Sequence, residues 1–224
     1  SFIVKRSVSG PRELLKTLKT LSTYIWHSLH VDGQSVWLAH REGRAKDGID
    51  KTDPAVIKML TIAKPKSISL TDYVRDLNIV PVSISYQYDP CDAFKAHELT
   101  TIEHQGSYTK AEHEDIKSIG HGIAGYKGRI DIRFSPALTG DYEAAVDVAD
   151  ALDQAIVSNY QLQSTNLIAY ELVYGKPALD SALASLGVLV DQLPDTSSMN
   201  RQVFLDRMAS ISEKDSRSAL NMYA

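Results

Sequence analysis

Arg41-Glu42-Gly43-Arg44 sets two guanidinium forks, a carboxylate and a glycine in consecutive positions. An arginine fork matches phosphate oxygens with paired, charge-assisted hydrogen bonds, and a glycine lets backbone approach a ligand closely. Glu42 can orient an arginine or bond a substrate hydroxyl. The chemistry on offer is phosphate recognition. A solvated polar turn is the other reading of the same residues.

Three further constellations have residue types suited to chemistry. His27 and Asp32 form a His-x-x-x-x-Asp pattern, in which the imidazole would act as base and the carboxylate would orient it. His27 falls near the end of an expected helix and Asp32 in the turn after it, so a capping or surface role is preferred and the pattern is treated as a decoy. His104, Glu112, His113, Glu114, Asp115 and His121 are metal-ligand types without a His-Glu-x-x-His spacing, so a solvated helix face is preferred and no metal is expected. No Gly-x-Ser-x-Gly elbow marks a serine nucleophile, and the single Cys91 offers neither an intrachain disulfide nor a cysteine pair for zinc.

The elements that must position these residues are read from periodicity. Leu14, Leu18, Leu21, Ile25 and Leu29 recur at helical spacing after Pro11, which predicts an amphipathic, somewhat basic helix over residues 11–29. Its apolar face is expected to pack on a sheet; Trp26 keeps a membrane-surface helix as the alternative. Strands are expected at 2–5, 35–39, 79–86 and 128–134, the last with one wet face. Helices are expected at 54–60 with Asp53 as N-cap, at 70–77 and around 110–119, with 89–107 a long surface excursion. Beyond Gly140 helical periods appear near 145–156, 167–174, 179–189 and 202–211, and residues 191–200 are the best linker. The expected fold class is α/β, a central mixed sheet flanked by helices, with residues 1–140 as one α/β domain and 141–224 as a C-terminal helical appendage.

Lys and Arg total 24 against 28 Asp and Glu, a net charge of -4, which argues against a nucleic-acid partner. No apolar run approaches the roughly 18 to 20 residues that a bilayer crossing needs. The expected location is the cytoplasm or, peripherally, the cytoplasmic face of the inner membrane.

Residues 36–48, Val-Trp-Leu-Ala-His-Arg-Glu-Gly-Arg-Ala-Lys-Asp-Gly, resemble the third motif of the bacterial-type glycerol-3-phosphate and 1-acylglycerol-3-phosphate acyltransferases, an apolar strand running into Glu-Gly-Thr-Arg. Here the threonine is absent and Arg44 follows Gly43 directly. Phe2-Ile3-Val4-Lys5-Arg6 looks like the second motif, whose terminal arginine helps bind the acceptor's phosphate. Val80-Pro81-Val82-Ser83-Ile84 looks like the fourth, which shapes the pocket.

That resemblance implies acyl transfer from a thioester, carried by acyl-CoA or acyl carrier protein, to a hydroxyl of a glycerol phosphate or lysophospholipid in phospholipid biosynthesis. Arg6, Arg41, Glu42, Gly43 and Arg44 would bind the substrate phosphate. The family's His-x-x-x-x-Asp pair belongs upstream of the second motif, hence upstream of Ser1, so the chain alone is expected to be inactive. Peripheral membrane contact is expected, and no cofactor beyond the thioester co-substrate. The alternative reading is a non-catalytic module that binds phospholipid or an acyl carrier.

Overall fold

The computed structural model describes residues 10–41, 45–187 and 193–224. Among them ten helices accompany a single two-stranded sheet. The expected central mixed sheet is therefore corrected: the chain is mainly helical. The expected strand at 2–5 lies outside the described residues. Residues 35–39 form no strand, and Trp37 is two-thirds exposed. A short β-preferring run has no stability without a partner strand, and sequence pattern alone does not supply one.

β1 (Val82–Tyr86) and β2 (Ile130–Phe134) pair antiparallel, with Gln87 N–H donating to Arg129 O at 2.8 Å and Ser135 N–H to Pro81 O at 2.9 Å. The polar and apolar alternation of β2 does not become a wet and a dry face, since every residue but Asp131 is exposed. Ile130, Ile132 and Phe134 are exposed, whereas Asp131 turns inward and accepts from Gln163 Nε2 at 2.8 Å.

The chain divides into two compact units. The first holds the described residues of Ser1–Arg44, with Lys51–Ser83 and Arg133–Asn159. It contains α1 (Pro11–His30), α2 (Pro54–Thr61), α3 (Leu70–Asp76) and α6 (Ala145–Ser158). Gly10 at φ 88 and Pro11 start α1, and Asp53 starts α2 by accepting from Ala55 N–H at 2.8 Å. α1 packs on α2, not on a sheet, and buries only its C-terminal half, through Leu21, Ser22, Ile25 and Ser28. Buried Ser22 donates to Leu60 O at 2.6 Å and accepts from Ala63 N–H at 3.1 Å, which satisfies backbone groups at the end of α2. Ile57, Val74, Leu138, Val148, Ala149 and Leu152 form the core.

The second unit comprises Ala45–Asp50, Ile84–Ile132 and Tyr160–Ala224. Its helices are α4 (Asp92–Gln105), α5 (Glu114–Ala124), α7 (Ser164–Tyr174), α8 (Lys176–Ser185), α9 (Ser198–Ala209) and α10 (Glu213–Tyr223). The expected excursion at 89–107 is thus mostly α4, and α10 is a helix that the periodicity did not indicate. α10 packs between α4 and α7 around Phe204, whose ring meets Tyr223 edge-on at 5.2 Å.

Candidate functional site

Arg6, Glu42, Gly43 and Arg44 lie outside the described residues. Arg41 is described and partly exposed, and the way its loop is closed is on view. Asp53 N–H donates to His40 O at 2.8 Å, so the chain returns to the residue before Arg41. Thr52 gives both its N–H (2.8 Å) and its hydroxyl proton (2.6 Å) to Asp153 Oδ1 on α6. With that proton committed, Thr52 Oγ1 can only accept from His40 Nδ1 at 2.9 Å, which places a hydrogen on Nδ1. His40, Thr52, Asp53 and Asp153 thus join the chain just before Arg41 to the start of α2 and to α6. Sequence reasoning missed Asp153 because it is 101 residues from Thr52.

Farther along the same loop, and within the second unit, Lys46 pairs with Glu98 of α4. Gly48 sits at φ 81, and a Cβ there would stand 2.5 Å from Met222 O at the end of α10. Glycine is required at Gly48 on both counts.

The decoy pair does come together: His27 Nδ1 is 3.3 Å from Asp32 Oδ2. Both side chains are about half exposed, at 55% and 48%, so water competes for each group. The helix end explains the geometry, since Val31 and Asp32 N–H both donate to His27 O and bring the turn back under the imidazole. His27 also lines an open cleft of about 500 Å³ with Lys16, Lys19, Thr20, Thr23 and Tyr24 of α1.

A second His–Asp pair was not expected. His97 Nδ1 on α4 lies 3.2 Å from Asp215 Oδ2 on α10, and Asp215 is only 6% exposed. Ser212 Oγ also donates to Oδ2, at 3.1 Å, and Ser212 is the N-cap of α10, so the carboxylate serves the helix start as well as His97.

The strongest electrostatic feature is buried at the start of α4. Asp92 Oδ2 accepts from Arg207 Nε at 2.6 Å and from Tyr223 OH at 2.8 Å. Arg207 Nη2 reaches Asp89 O at 2.7 Å, and Asp89 N–H donates back to Tyr223 OH at 2.9 Å. Burial, reinforced by the Asp92 carboxylate, drives the Tyr223 phenol far above its ordinary range. Burial works against the charge on Arg207, but Asp92 more than offsets it and the guanidinium is held more firmly protonated than usual. This network ties α4, α9 and α10 together.

The residues of metal-ligand type between His104 and His121 fall into local pairs, and no His, Cys, Asp or Glu group suited to a metal ion occurs among the described residues. Lys110 pairs with Asp115 at 2.6 Å, and His121 Nδ1 bonds Lys117 O at 3.2 Å. Tyr108 OH donates to Glu114 at 2.7 Å and Ala111 N–H at 2.9 Å, which holds the Glu114 carboxyl below its ordinary value. Burial, with Glu114 beside it, pushes the Tyr108 phenol up to about 12. A mainly apolar cleft of about 500 Å³ lies against α7, α9 and α10, lined by Leu172, Leu205, Met208, Ile211 and Leu220, with Glu213 and Ser216 as its polar members. No described helix is long and apolar enough to cross a membrane. No protein-family model, no curated protein and no solved structure matches this chain.

Proposed function

We propose that this chain supplies the phosphate-binding part of an acyltransferase that moves a fatty acyl group from a thioester carrier to a hydroxyl of a glycerol-phosphate acceptor. Acyl-CoA or acyl carrier protein is the donor, and glycerol 3-phosphate or a lysophospholipid the acceptor. Arg41 and Arg44 grip the phosphate, with Arg6 adding a third guanidinium and Glu42 and Gly43 shaping the loop. The observation that carries the reading is the clamp at the loop base. A loop held by His40, Thr52, Asp53 and Asp153 loses less entropy on gripping a dianion than a free one, so its arginines bind more tightly.

Calorimetric titration of glycerol 3-phosphate into the full chain tests this. Arg41→Ala and Arg44→Ala are each expected to weaken binding by about tenfold to a hundredfold, the range for a charge-assisted hydrogen bond. Absence of binding by the unaltered chain, or unchanged affinity in both variants, would overturn the proposal. An acyl-transfer assay on the same samples separates turnover from the second reading, a module that binds phospholipid or acyl carrier without reaction.

A further inference from the structure

α1 is half a core helix. From Leu21 onward it buries an apolar stripe against α2, but its first ten residues, Pro11 to Thr20, include no buried side chain. Within this largely polar stretch two leucines stand in water, Leu14 at 46% and Leu15 at 58% exposure, and beyond it Trp26 is 37% exposed. Large apolar side chains left in water cost free energy unless something covers them.

The neighbouring charges identify the cover. Arg12, Lys16 and Lys19 are exposed or partly exposed on the side of the helix beside Leu15 and Trp26, and Glu13 is the one acidic residue in α1. The whole chain is net -4, so this local cationic face runs against the average. Long basic side chains flanking leucines and a tryptophan suit the interface of an anionic bilayer: the apolar groups enter the acyl boundary while the ammonium and guanidinium groups reach lipid phosphates. Trp26 stacks on His30 at 4.6 Å, which fixes its indole on the same side as Leu15.

We infer that the N-terminal half of α1 is a docking surface for an anionic phospholipid bilayer, lying in the interface without crossing it. The choice of a phospholipid surface rests on the function proposed above; the helix geometry does not.

Sedimentation of the full chain with vesicles tests the inference. The chain is expected to pellet with vesicles containing phosphatidylglycerol, to pellet far less with pure phosphatidylcholine, and to be released by salt. Replacing Arg12, Lys16 and Lys19 with glutamine should weaken the partition coefficient about fivefold per charge, on the order of a hundredfold in all. Leu14→Glu/Leu15→Glu should abolish binding; both positions are exposed, so an unchanged thermal midpoint will show that the fold is intact. In a Trp37→Phe background the Trp26 emission should shift blue with anionic vesicles. Equal binding to both vesicle types, no binding to either, or binding indifferent to the leucine and basic substitutions would overturn the inference. Loss of vesicle binding in Arg41→Ala with the leucine variant unaffected would overturn the inference and assign the lipid contact to the phosphate loop. The glycerol 3-phosphate titration needs no vesicles, so the two proposals fail separately.

Discussion

His30 and Asp76 hold the end of α1 to the end of α3: Nε2 of the imidazole lies 3.0 Å from Oδ2 of the carboxylate. The other ring nitrogen, Nδ1, bonds Trp26 O at 2.9 Å, so both nitrogens face acceptors and both must carry hydrogen. Only the imidazolium satisfies that geometry. The Trp26 carbonyl, then Asp76, raise the His30 pKa above its ordinary 6.5 despite opposing desolvation. A folded-state pKa above the unfolded one gives stability that is fully present below about pH 6.5 and lost as pH rises through the folded value. Because both side chains are partly exposed, the loss is expected to be below about 1 kcal/mol. Urea midpoints across pH 5 to 9 should fall on the alkaline side in the native chain and flatten in His30→Gln. An equal fall in His30→Gln would assign the effect elsewhere.

Arg207→Met should destabilise the second unit by roughly 3 to 5 kcal/mol, because it strands the Asp92 carboxylate at 6% exposure. Tyr223→Phe should cost about 1.5 to 3 kcal/mol, since one hydroxyl donates to Asp92 and accepts from Asp89 N–H. Chemical denaturation monitored by far-ultraviolet circular dichroism measures both. A loss under 1 kcal/mol in Arg207→Met would show that the ion pair is hydrated.

Gly48→Ala combines a positive φ with a methyl 2.5 Å from the Met222 carbonyl. The backbone strain alone is about 1 to 2 kcal/mol, and the close approach adds to it, so a total above 2 kcal/mol is expected. Gly106→Ala, also at positive φ but with open space around its Cβ, should cost only the strain. Comparable losses in the two variants would remove the steric part of the account.

Asp153→Ala deletes the acceptor of two hydrogen bonds from Thr52 and should cost about 2 kcal/mol of stability. If the clamp preorganises the arginine loop, the same change weakens glycerol 3-phosphate binding although Asp153 is not among the residues proposed to hold it. Thermal melts and the titration, run on one preparation, check both. Unaltered affinity in a destabilised variant would show that the clamp supports only the fold.

His27→Ala is expected to change stability by less than about 1 kcal/mol and leave phosphate binding unchanged, as befits an exposed pair at a helix end. Loss of any acyl-transfer activity in this variant would revive His27 as the base.

Where an element declares itself locally, the sequence was readable. Pro11 and a leucine period marked α1, and Asp53 before Pro54 marked the start of α2. α4 and α10 were hidden for one shared reason. The buried positions of α4 are Asp92, Ala96 and Thr100, and those of α10 are Asp215, Ala219 and Tyr223. They keep the four-residue spacing of a helix but present polar or small side chains, so hydrophobic periodicity passes over them. Their burial is compensated by partners more than a hundred residues away, Arg207 and Tyr223 for Asp92 and Ser218 for Thr100. The strand expected at 35–39 erred the other way, as β-preferring residues without a partner strand. Of the candidate site, residue types and order were legible, while the clamp through Asp153 depended on long-range packing.

The distribution of two rare residue types makes the units spectroscopically separable. Both tryptophans, Trp26 and Trp37, belong to the first unit, and the one cysteine, Cys91, is buried in the second with its Sγ 3.4 Å from Ser118 O. Indole emission therefore follows the opening of one unit and thiol-labelling rate the opening of the other, in one unmodified sample. Mismatched transitions would show the units melting independently.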